Sequence, residues 1–224
     1  MILNLSYKLG EKTPVIGPLA PPVIEPLSDI DRGSPCNSFR FSSANHVGTH
    51  VDAPFHFNPF GRKISDYKAD ELVFDKPDIL WIELQPSELV QPAHLTGLKS
   101  VRNGCNLIFI KSGFGRYRFT NPQVYSHENP GFSRAAAEFM LDRLPELKAL
   151  AVDFISISAC KHLAEGFEAH RVFLGCEGYS KREVLLVEDT CIAPDLNVPD
   201  RVFIVPWFCE GLDSAPCTVL AEYV

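Results

Sequence analysis

Three histidines and one aspartate lie within eleven consecutive residues, at His46, His50, Asp52 and His56, in a chain with only seven histidines among its 224 residues. A buried imidazole or carboxylate costs free energy unless it is hydrogen-bonded, paired or coordinated. Such crowding is unusual for side chains that only pack, and it is typical of a site that binds a divalent cation. We therefore predict a metal site on this segment.

The spacing of the motif favours an extended chain. From His50 to Phe57 the sequence alternates, with His50, Asp52 and His56 on one parity and apolar side chains on the other. Residues two apart on a strand are separated by ~6.7 Å, which lets His50 and Asp52 share a cation through bonds of ~2.1 Å. An extended segment would bury the apolar side chains and present the metal-binding side chains together.

His46 requires a bend in the chain. On a straight strand it would lie ~13 Å from His50, which strains the reach of two imidazoles to one ion. Gly48 is the natural position for the bend, because a residue without Cβ adopts positive φ at little cost.

Short β-like runs must position this segment, since they outnumber the helical patterns. Residues 13–35 are rich in proline and glycine and are predicted to form an extended loop. The predicted strands are residues 38–42, 79–84, 106–111, 149–158, 183–187 and 201–207.

Two helices are predicted. Ser133 can cap a helix that runs to about Leu144, where a proline follows. A second helix is expected over residues 163–174, although Gly166 weakens it by about 1 kcal/mol relative to alanine. These patterns predict a mixed, β-rich α/β fold in one domain, residues 1–224.

Composition excludes several classes of function. A net charge of −7 and the lack of a lysine- and arginine-rich run argue against nucleic acid as a partner. The chain has no run of about 18 apolar residues and its start does not resemble a signal peptide, so we expect no membrane partner and a cytoplasmic location. The motifs G-x-S-x-G, H-E-x-x-H and G-x-G-x-x-G are missing.

The segment His46-Val-Gly-Thr-His-Val-Asp-Ala-Pro-Phe-His56 resembles the signature H-x-G-T-H-x-D-x-P-x-H of the cyclase family, which includes the bacterial arylformamidases, or kynurenine formamidases. Leu5-Ser-Tyr and Gly211-Leu-Asp-Ser-Ala-Pro-Cys support the resemblance at the two ends. It implies a swivelling β/β/α architecture with two divalent cations per chain. Zinc is our first choice for these donors, and manganese is the alternative.

Carried over from the family, the resemblance assigns roles within the motif. It implies that His46 and His50 bind the first metal, that Asp52 bridges both metals, and that His56 is the general acid/base. The implied reaction is attack by a metal-bound hydroxide on an amide or lactone carbonyl.

Two later residues fit the family's remaining metal ligands. His170 lies in a helical context and Glu188 follows a run of aliphatic residues. His162 is the alternative to His170, because in a helix it would lie two turns away on nearly the same face. Asp153, inside an apolar run, must point into a polar site or be paired.

The expected function is that of a metal-dependent hydrolase acting on a small molecule, an aryl formamide or a related cyclic amide or lactone. A lyase, dehydratase or cyclase acting on a small carbonyl compound, or a metal-binding relative without catalysis, remains an alternative. The resemblance also implies a homo-oligomer built from dimers. Residues 14–19 lack the tryptophan usual in the arylformamidase pocket, and the pocket-lining candidates are Phe55, Phe57, Phe60 and Phe114.

Overall fold

Most of the predicted strands belong to one mixed sheet in a computed structural model that describes residues 1–224. The strands are β1 (Ile2–Asn4), β2 (Val23–Ser28), β3 (Ser38–Ser42), β4 (His50–Asp52), β5 (Val73–Phe74), β6 (Pro77–Trp81), β7 (Leu89–Val90), β8 (Leu107–Lys111), β9 (Gly131–Phe132), β10 (Ala149–Val152), β11 (Leu185–Glu188), β12 (Arg201–Pro206) and β13 (Ser214–Glu222). The helices are α1 (Tyr117–Thr120), α2 (Pro122–His127), α3 (Arg134–Arg143) and α4 (Leu163–Phe173).

The short strand β4 joins the two halves of this sheet. The strand order is β5-β12-β13-β4-β11-β10-β8-β6, and β1 pairs with β13. Strands β6, β8, β10 and β11 run parallel to one another. Strand β4 is antiparallel to β11 on one side and to β13 on the other. The motif therefore begins in the interior of the sheet, not at an edge.

Of the parallel strands, β8, β10 and β11 are buried on both faces, which explains their largely apolar sequences. In β8, Leu107 and Phe109 pack into one core with side chains of β12 and β13. Ile108 and Ile110 pack into the opposite core, which includes Met140 of α3. The alternation of side chains along a strand thus divides one apolar run between two cores.

Both predicted helices are present. Ser133 caps α3 by accepting a hydrogen bond from the backbone N–H of Ala136 at 3.1 Å. Gly166 in α4 packs so closely that an added Cβ would lie 2.4 Å from the Cα of Ser158. Glycine is therefore required for packing despite its low helix propensity. The predicted mixed, β-rich α/β fold is confirmed.

Some strand predictions are wrong in their limits. The run predicted over residues 149–158 ends at Val152, because the Asp153 side chain accepts hydrogen bonds from the backbone of Ser112 and Gly113 and turns the chain out of the sheet. The strand predicted over residues 183–187 is observed as β11, which begins at Leu185 and ends at Glu188. Within the predicted loop of residues 13–35, β2 pairs with β3 as a separate hairpin.

No helix of the structure has the length and apolar character needed to cross a membrane.

All seven cysteines are free, and two of them, Cys36 and Cys209, are exposed.

Candidate metal centre

A bend at Gly48 brings His46 beside His50, as the sequence predicts. Gly48 has φ of +70°, and an added Cβ would lie 2.6 Å from Leu9 Cδ1. The imidazole centroids of His46 and His50 are 5.3 Å apart. Both the backbone conformation and the contact with Leu9 therefore favour glycine at this position.

The prediction of an extended segment from His50 to Phe57 is wrong beyond Asp52. Pro54–His56 forms a single turn of 3₁₀ helix, with Pro54 at the first position where its fixed φ suits a helical turn. This turn carries His56 back towards the start of the motif, and its ring centroid lies 4.2 Å from that of His46.

The six side chains predicted to form the site lie together. Asp52 occupies the centre, with its Oδ1 3.1 Å from His46 Nδ1 and 3.5 Å from His50 Nε2. Glu188 Oε2 lies 3.4 Å from His50 Nε2. His170 Nε2 lies 3.9 Å from Asp52 Oδ2 and 3.6 Å from Glu188 Oε1.

Two groups of potential ligand atoms share Asp52. One consists of His46, Asp52 and His56, and the other of His50, Asp52 and Glu188; within each group the ligand atoms lie within 4.8 Å of one another. This grouping pairs His46 with His56, whereas the resemblance pairs His46 with His50. Two neighbouring groups around one carboxylate are compatible with two cations that share Asp52.

Of the two alternative histidines, His162 and His170, only His170 contacts the cluster. It lies on the buried side of α4 and is 3% exposed, whereas His162 is exposed just before the helix. Glu188 is the last residue of β11 and is also buried. Its Oε1 accepts hydrogen bonds from Ser156 Oγ at 3.1 Å and from the backbone N–H of Ile157 at 2.7 Å.

In His46, His50 and His170, one ring nitrogen makes a hydrogen bond outside the cluster. His46 Nε2 lies 3.0 Å from Asp213 Oδ2. His50 Nδ1 and His170 Nδ1 each lie 2.8 Å from a backbone carbonyl, that of Gly48 or of Gly166. Because these acceptors require N–H donors, the other nitrogen of each ring is the one that can offer a lone pair to a cation in the cluster.

The donor set fits a divalent cation. His50 Nε2 and both carboxylate oxygens of Asp52 are buried and have no hydrogen-bond partner. Unpartnered buried polar atoms are costly, and a carboxylate that is 1% exposed is especially so. A cation held by His46, His50, Asp52 and Glu188 would satisfy these atoms.

The pKa shifts follow from this crowding of charge. Burial opposes ionisation of Glu188, but its close contacts with the His170 and His50 imidazoles lower its pKa to about 2. Burial would lower the pKa of His46, but attraction to Asp52 and the hydrogen bond with Asp213 raise it to about 10. The carboxylates are therefore ionised at neutral pH, and in the absence of a metal His46 carries a proton.

Sequence reasoning assigned no role to Asp213, which contacts two of the motif histidines. Its Oδ2 lies 2.7 Å from His56 Nδ1 as well as 3.0 Å from His46 Nε2. It stands 157 residues from His56 along the chain, immediately before β13. The only signal was the segment Gly211-Leu-Asp-Ser, which we used for the resemblance alone. Asp153, in contrast, is buried but lies against the Ser112–Gly113 backbone, not in the cluster.

A cleft of about 320 Å³ opens onto the cluster. Ile16 and Leu19 of the N-terminal loop form one wall, and Phe57 and Phe167 contribute aromatic rings. Phe57 stacks on the His170 ring, with centroids 4.8 Å apart and planes inclined at 21°.

Of the four phenylalanines suggested for the pocket, only Phe57 lines this cleft. Phe60 is 94% exposed and Phe114 is fully buried in the core. Phe55 contacts the ammonium group of Lys63 instead. No lysine or arginine lines the cleft.

The sequence matches a family model over residues 3–159, and the description of that family is "Putative cyclase". The chain therefore belongs to the cyclase family. An uncharacterized protein of Haemophilus influenzae is 29% identical over 129 residues, which cover 57% of this chain and 89% of that protein. Cyclase-like protein 1 of Oryza sativa subsp. japonica is 25% identical over 183 residues, covering 77% of this chain and 62% of that protein.

Solved structures share the fold at low sequence identity. Isatin hydrolase A from Labrenzia aggregata superposes with a TM-score of 0.81 at 19% identity, covering 100% of this chain and 93% of that one. Isatin hydrolase A from Ralstonia solanacearum superposes with a TM-score of 0.80 at 18% identity, covering 99% of this chain and 91% of that one. A protein described as a potential metal-dependent hydrolase with cyclase activity superposes with a TM-score of 0.72 at 17% identity, covering 99% of this chain and 96% of that one.

Proposed function

We propose that this chain is a metal-dependent hydrolase that cleaves the C–N bond of an aryl formamide or cyclic amide, or the C–O bond of a related lactone. The observation that carries the proposal is the unpartnered set of buried atoms, His50 Nε2 and both oxygens of Asp52, at the base of an open cleft. The family membership and the hydrolase names of the structural neighbours support it.

The proposed ligands are His46, His50, Asp52, His170 and Glu188, which would hold two divalent cations, zinc or manganese. Imidazole nitrogens and carboxylates suit both metals. A divalent cation in such a site lowers the pKa of the water that it binds and polarises a carbonyl group, and both effects promote hydrolysis. The tautomers described above direct the free lone pairs of these histidines to the cluster.

His56 is the proposed general acid/base. Its Nδ1 donates a hydrogen bond to Asp213 Oδ2, so Nε2 is the nitrogen that exchanges a proton with the substrate. An imidazole ring can accept a proton on one nitrogen and return it, which is the function of a general acid/base. In amide hydrolysis it would take a proton from water and deliver one to the leaving nitrogen.

The cleft favours a substrate with a flat aromatic portion. Its mouth is formed by aliphatic and aromatic side chains, and no lysine or arginine lines it. Phe57 and Phe167, with ring centroids 5.6 Å apart, are placed to pack against an aromatic ring. Ile16 and Leu19 occupy the loop that lacks the tryptophan of the arylformamidases, so we include cyclic amides and lactones beside aryl formamides.

We also propose that the chain forms a homo-oligomer through the β2–β3 hairpin. This two-stranded ribbon exposes apolar side chains, including Leu27 at 58% and Phe39 at 59%, and a ribbon of two strands is at best marginally stable alone. Sedimentation should show a dimer or a dimer of dimers that dissociates in Phe39→Lys. A wild-type monomer at all concentrations would contradict this.

The test of the main proposal is metal content together with turnover. Purified wild type should contain about two zinc or manganese ions per chain by mass spectrometry of the metals, and Asp52→Asn should lose most of them. The matched control is Asp70→Asn, because Asp70 is exposed and outside the site.

Turnover should be assayed on N-formylkynurenine, a simple aryl formamide, isatin and an aryl lactone, with and without chelator. Hydrolysis of any of these that chelator abolishes and metal restores supports the proposal. A protein that binds no divalent cation, or that binds two but turns over none of the four, overturns it; the second result favours the lyase or non-catalytic alternatives.

A further inference from the structure

One oxygen of Asp213 contacts both a proposed metal ligand and the proposed proton-transfer residue. Oδ2 lies 3.0 Å from His46 Nε2 and 2.7 Å from His56 Nδ1. A carboxylate oxygen only accepts hydrogen bonds, so each of these two nitrogens must carry the hydrogen. We propose that Asp213 is a positioning residue that fixes the tautomers of His46 and His56 together, an inference that rests on the metal site of the proposed function.

The consequence for each ring follows from this single acceptor. With its hydrogen bond to Asp213 at Nε2, His46 offers Nδ1 to a cation in the cluster, beside Asp52 Oδ1 at 3.1 Å. With its hydrogen on Nδ1, His56 keeps Nε2 for proton transfer. Asp213 therefore prepares one ring for metal binding and the other for acid/base chemistry.

Asp213 differs from the partners of the other two histidines. The rings of His50 and His170 are oriented by backbone carbonyls, each of which serves one ring. Asp213, in contrast, accepts hydrogen bonds from two rings through its side chain, and its carboxylate places a negative charge next to the cluster. Hydrogen-bond partners of this kind orient metal ligands and raise their basicity.

The carboxylate of Asp213 is itself held in place. Asn45 Nδ2 donates to Asp213 Oδ1 at 2.7 Å and also lies 3.3 Å from the backbone carbonyl of Ser214. Asn45 precedes His46, and Ser214 follows Asp213. This contact fixes the plane of the carboxylate so that Oδ2, not Oδ1, faces the two rings.

The substitution Asp213→Asn tests the inference without a change in size. The amide oxygen should face Asn45, because Asn45 Nδ2 is a donor, and the amide NH₂ then faces the two rings. It would donate to His46 Nε2 and His56 Nδ1 and move their hydrogens to the opposite nitrogens. His46 Nδ1 would then be protonated and unable to bind a metal.

The expected result is a loss of zinc affinity of about 10- to 100-fold in Asp213→Asn, measured by competition with a chromophoric chelator. In Asn45→Ala/Asp213→Asn the amide is free to turn its oxygen towards the rings, so part of the lost affinity should return. A purely structural role for Asp213 predicts a further loss instead. Asp70→Asn serves as the control for the same change on the surface.

The tautomers of His46 and His56 can also be measured directly, in the zinc-loaded wild-type protein. Long-range ¹H–¹⁵N spectra should show the hydrogen of His46 on Nε2 and that of His56 on Nδ1. The opposite tautomers, or an Asp213→Asn protein whose zinc affinity lies within about twofold of wild type, would overturn the inference. If wild type itself binds no zinc or manganese, the proposed function fails; if it binds and only the Asp213 results are negative, this inference alone fails.

Discussion

Arg118 and Asp189 form a buried ion pair, and Asp189 directly follows Glu188 in the sequence. Arg118 Nε lies 2.8 Å from Asp189 Oδ1 and Nη2 lies 2.9 Å from Oδ2, a two-point geometry. Tyr125 adds a hydrogen bond to Oδ1 at 2.5 Å. Asp189 follows the proposed ligand Glu188 and has a positive φ of 53°, which is unusual for a residue other than glycine.

Removing one partner of this pair should be costly. In Arg118→Met the Asp189 carboxylate stays buried without its counter-ion, so we expect a loss of about 3–5 kcal/mol in the free energy of unfolding, measured by denaturant titration. The control is Arg201→Met, since Arg201 is half exposed in its pair with Glu222 and should contribute less than about 1 kcal/mol. Equal losses in the two variants would contradict our account of the buried pair.

Gly166→Ala should destabilise the protein although alanine favours helix by about 1 kcal/mol. The added methyl group would lie 2.4 Å from Ser158 Cα, and α4 must shift to relieve the contact. Because His170 lies one turn further along α4, we expect weaker zinc binding as well as a lower unfolding midpoint. Gly10→Ala is the control, as nothing lies within 4 Å of its Cβ position. Unchanged zinc affinity in Gly166→Ala would show that α4 absorbs the methyl group without moving His170.

Phe167→Ala should reduce kcat/KM for an aromatic substrate about tenfold while leaving the metal content unchanged. Phe167 packs near Phe57 at the cleft mouth, and loss of an aromatic contact of this kind removes about 0.5–1.5 kcal/mol beyond the buried area. Steady-state kinetics on the best substrate of the panel measures the effect. Phe60→Ala, at a residue that is 94% exposed, should change kcat/KM by less than twofold. A similar effect of the two substitutions would argue against a substrate contact at Phe167.

Zinc binding should release protons at neutral pH. In the metal-free protein the pKa of His46 is raised to about 10, so the protonated ring stabilises the fold below its ordinary pKa of 6.5, and this contribution is lost as the pH rises through about 10. The proton must leave before Nδ1 can bind a metal. Calorimetry at about pH 7.5 in buffers of different ionisation enthalpy should report at least one proton released per chain. His46→Gln should release about one fewer, and equal release would assign the protons to other groups.

The grouping of His46, His50 and Asp52 could be predicted because these residues are close along the chain, whereas His170 and Glu188 were assigned from the resemblance to the cyclase family. Alternation placed His50 and Asp52 on one face, and the lack of Cβ at Gly48 allowed the bend that returns His46 to them. The same alternation failed at His56, because the backbone restriction imposed by Pro54 starts a helical turn and outweighs the strand pattern.

The parts that could not be predicted depend on long-range pairing. Strand β13 is not among the strands predicted from the sequence, and it contains Pro216, which cannot donate a backbone hydrogen bond. Asp213, immediately before that strand, comes close to His46 because β13 pairs with β4. Nothing within either segment indicates that pairing.

The position of β4 between β11 and β13 also bears on the order in which the sheet can form during synthesis. The ribosome delivers residues 46–56 before residues 185–188 and 214–222, so β4 lacks both of its neighbouring strands when it emerges. The motif can therefore take its place in the sheet only after more than half of the chain has been made. We expect that removal of residues 214–222 would impair metal binding by the proposed ligands, although none of them lies in β13.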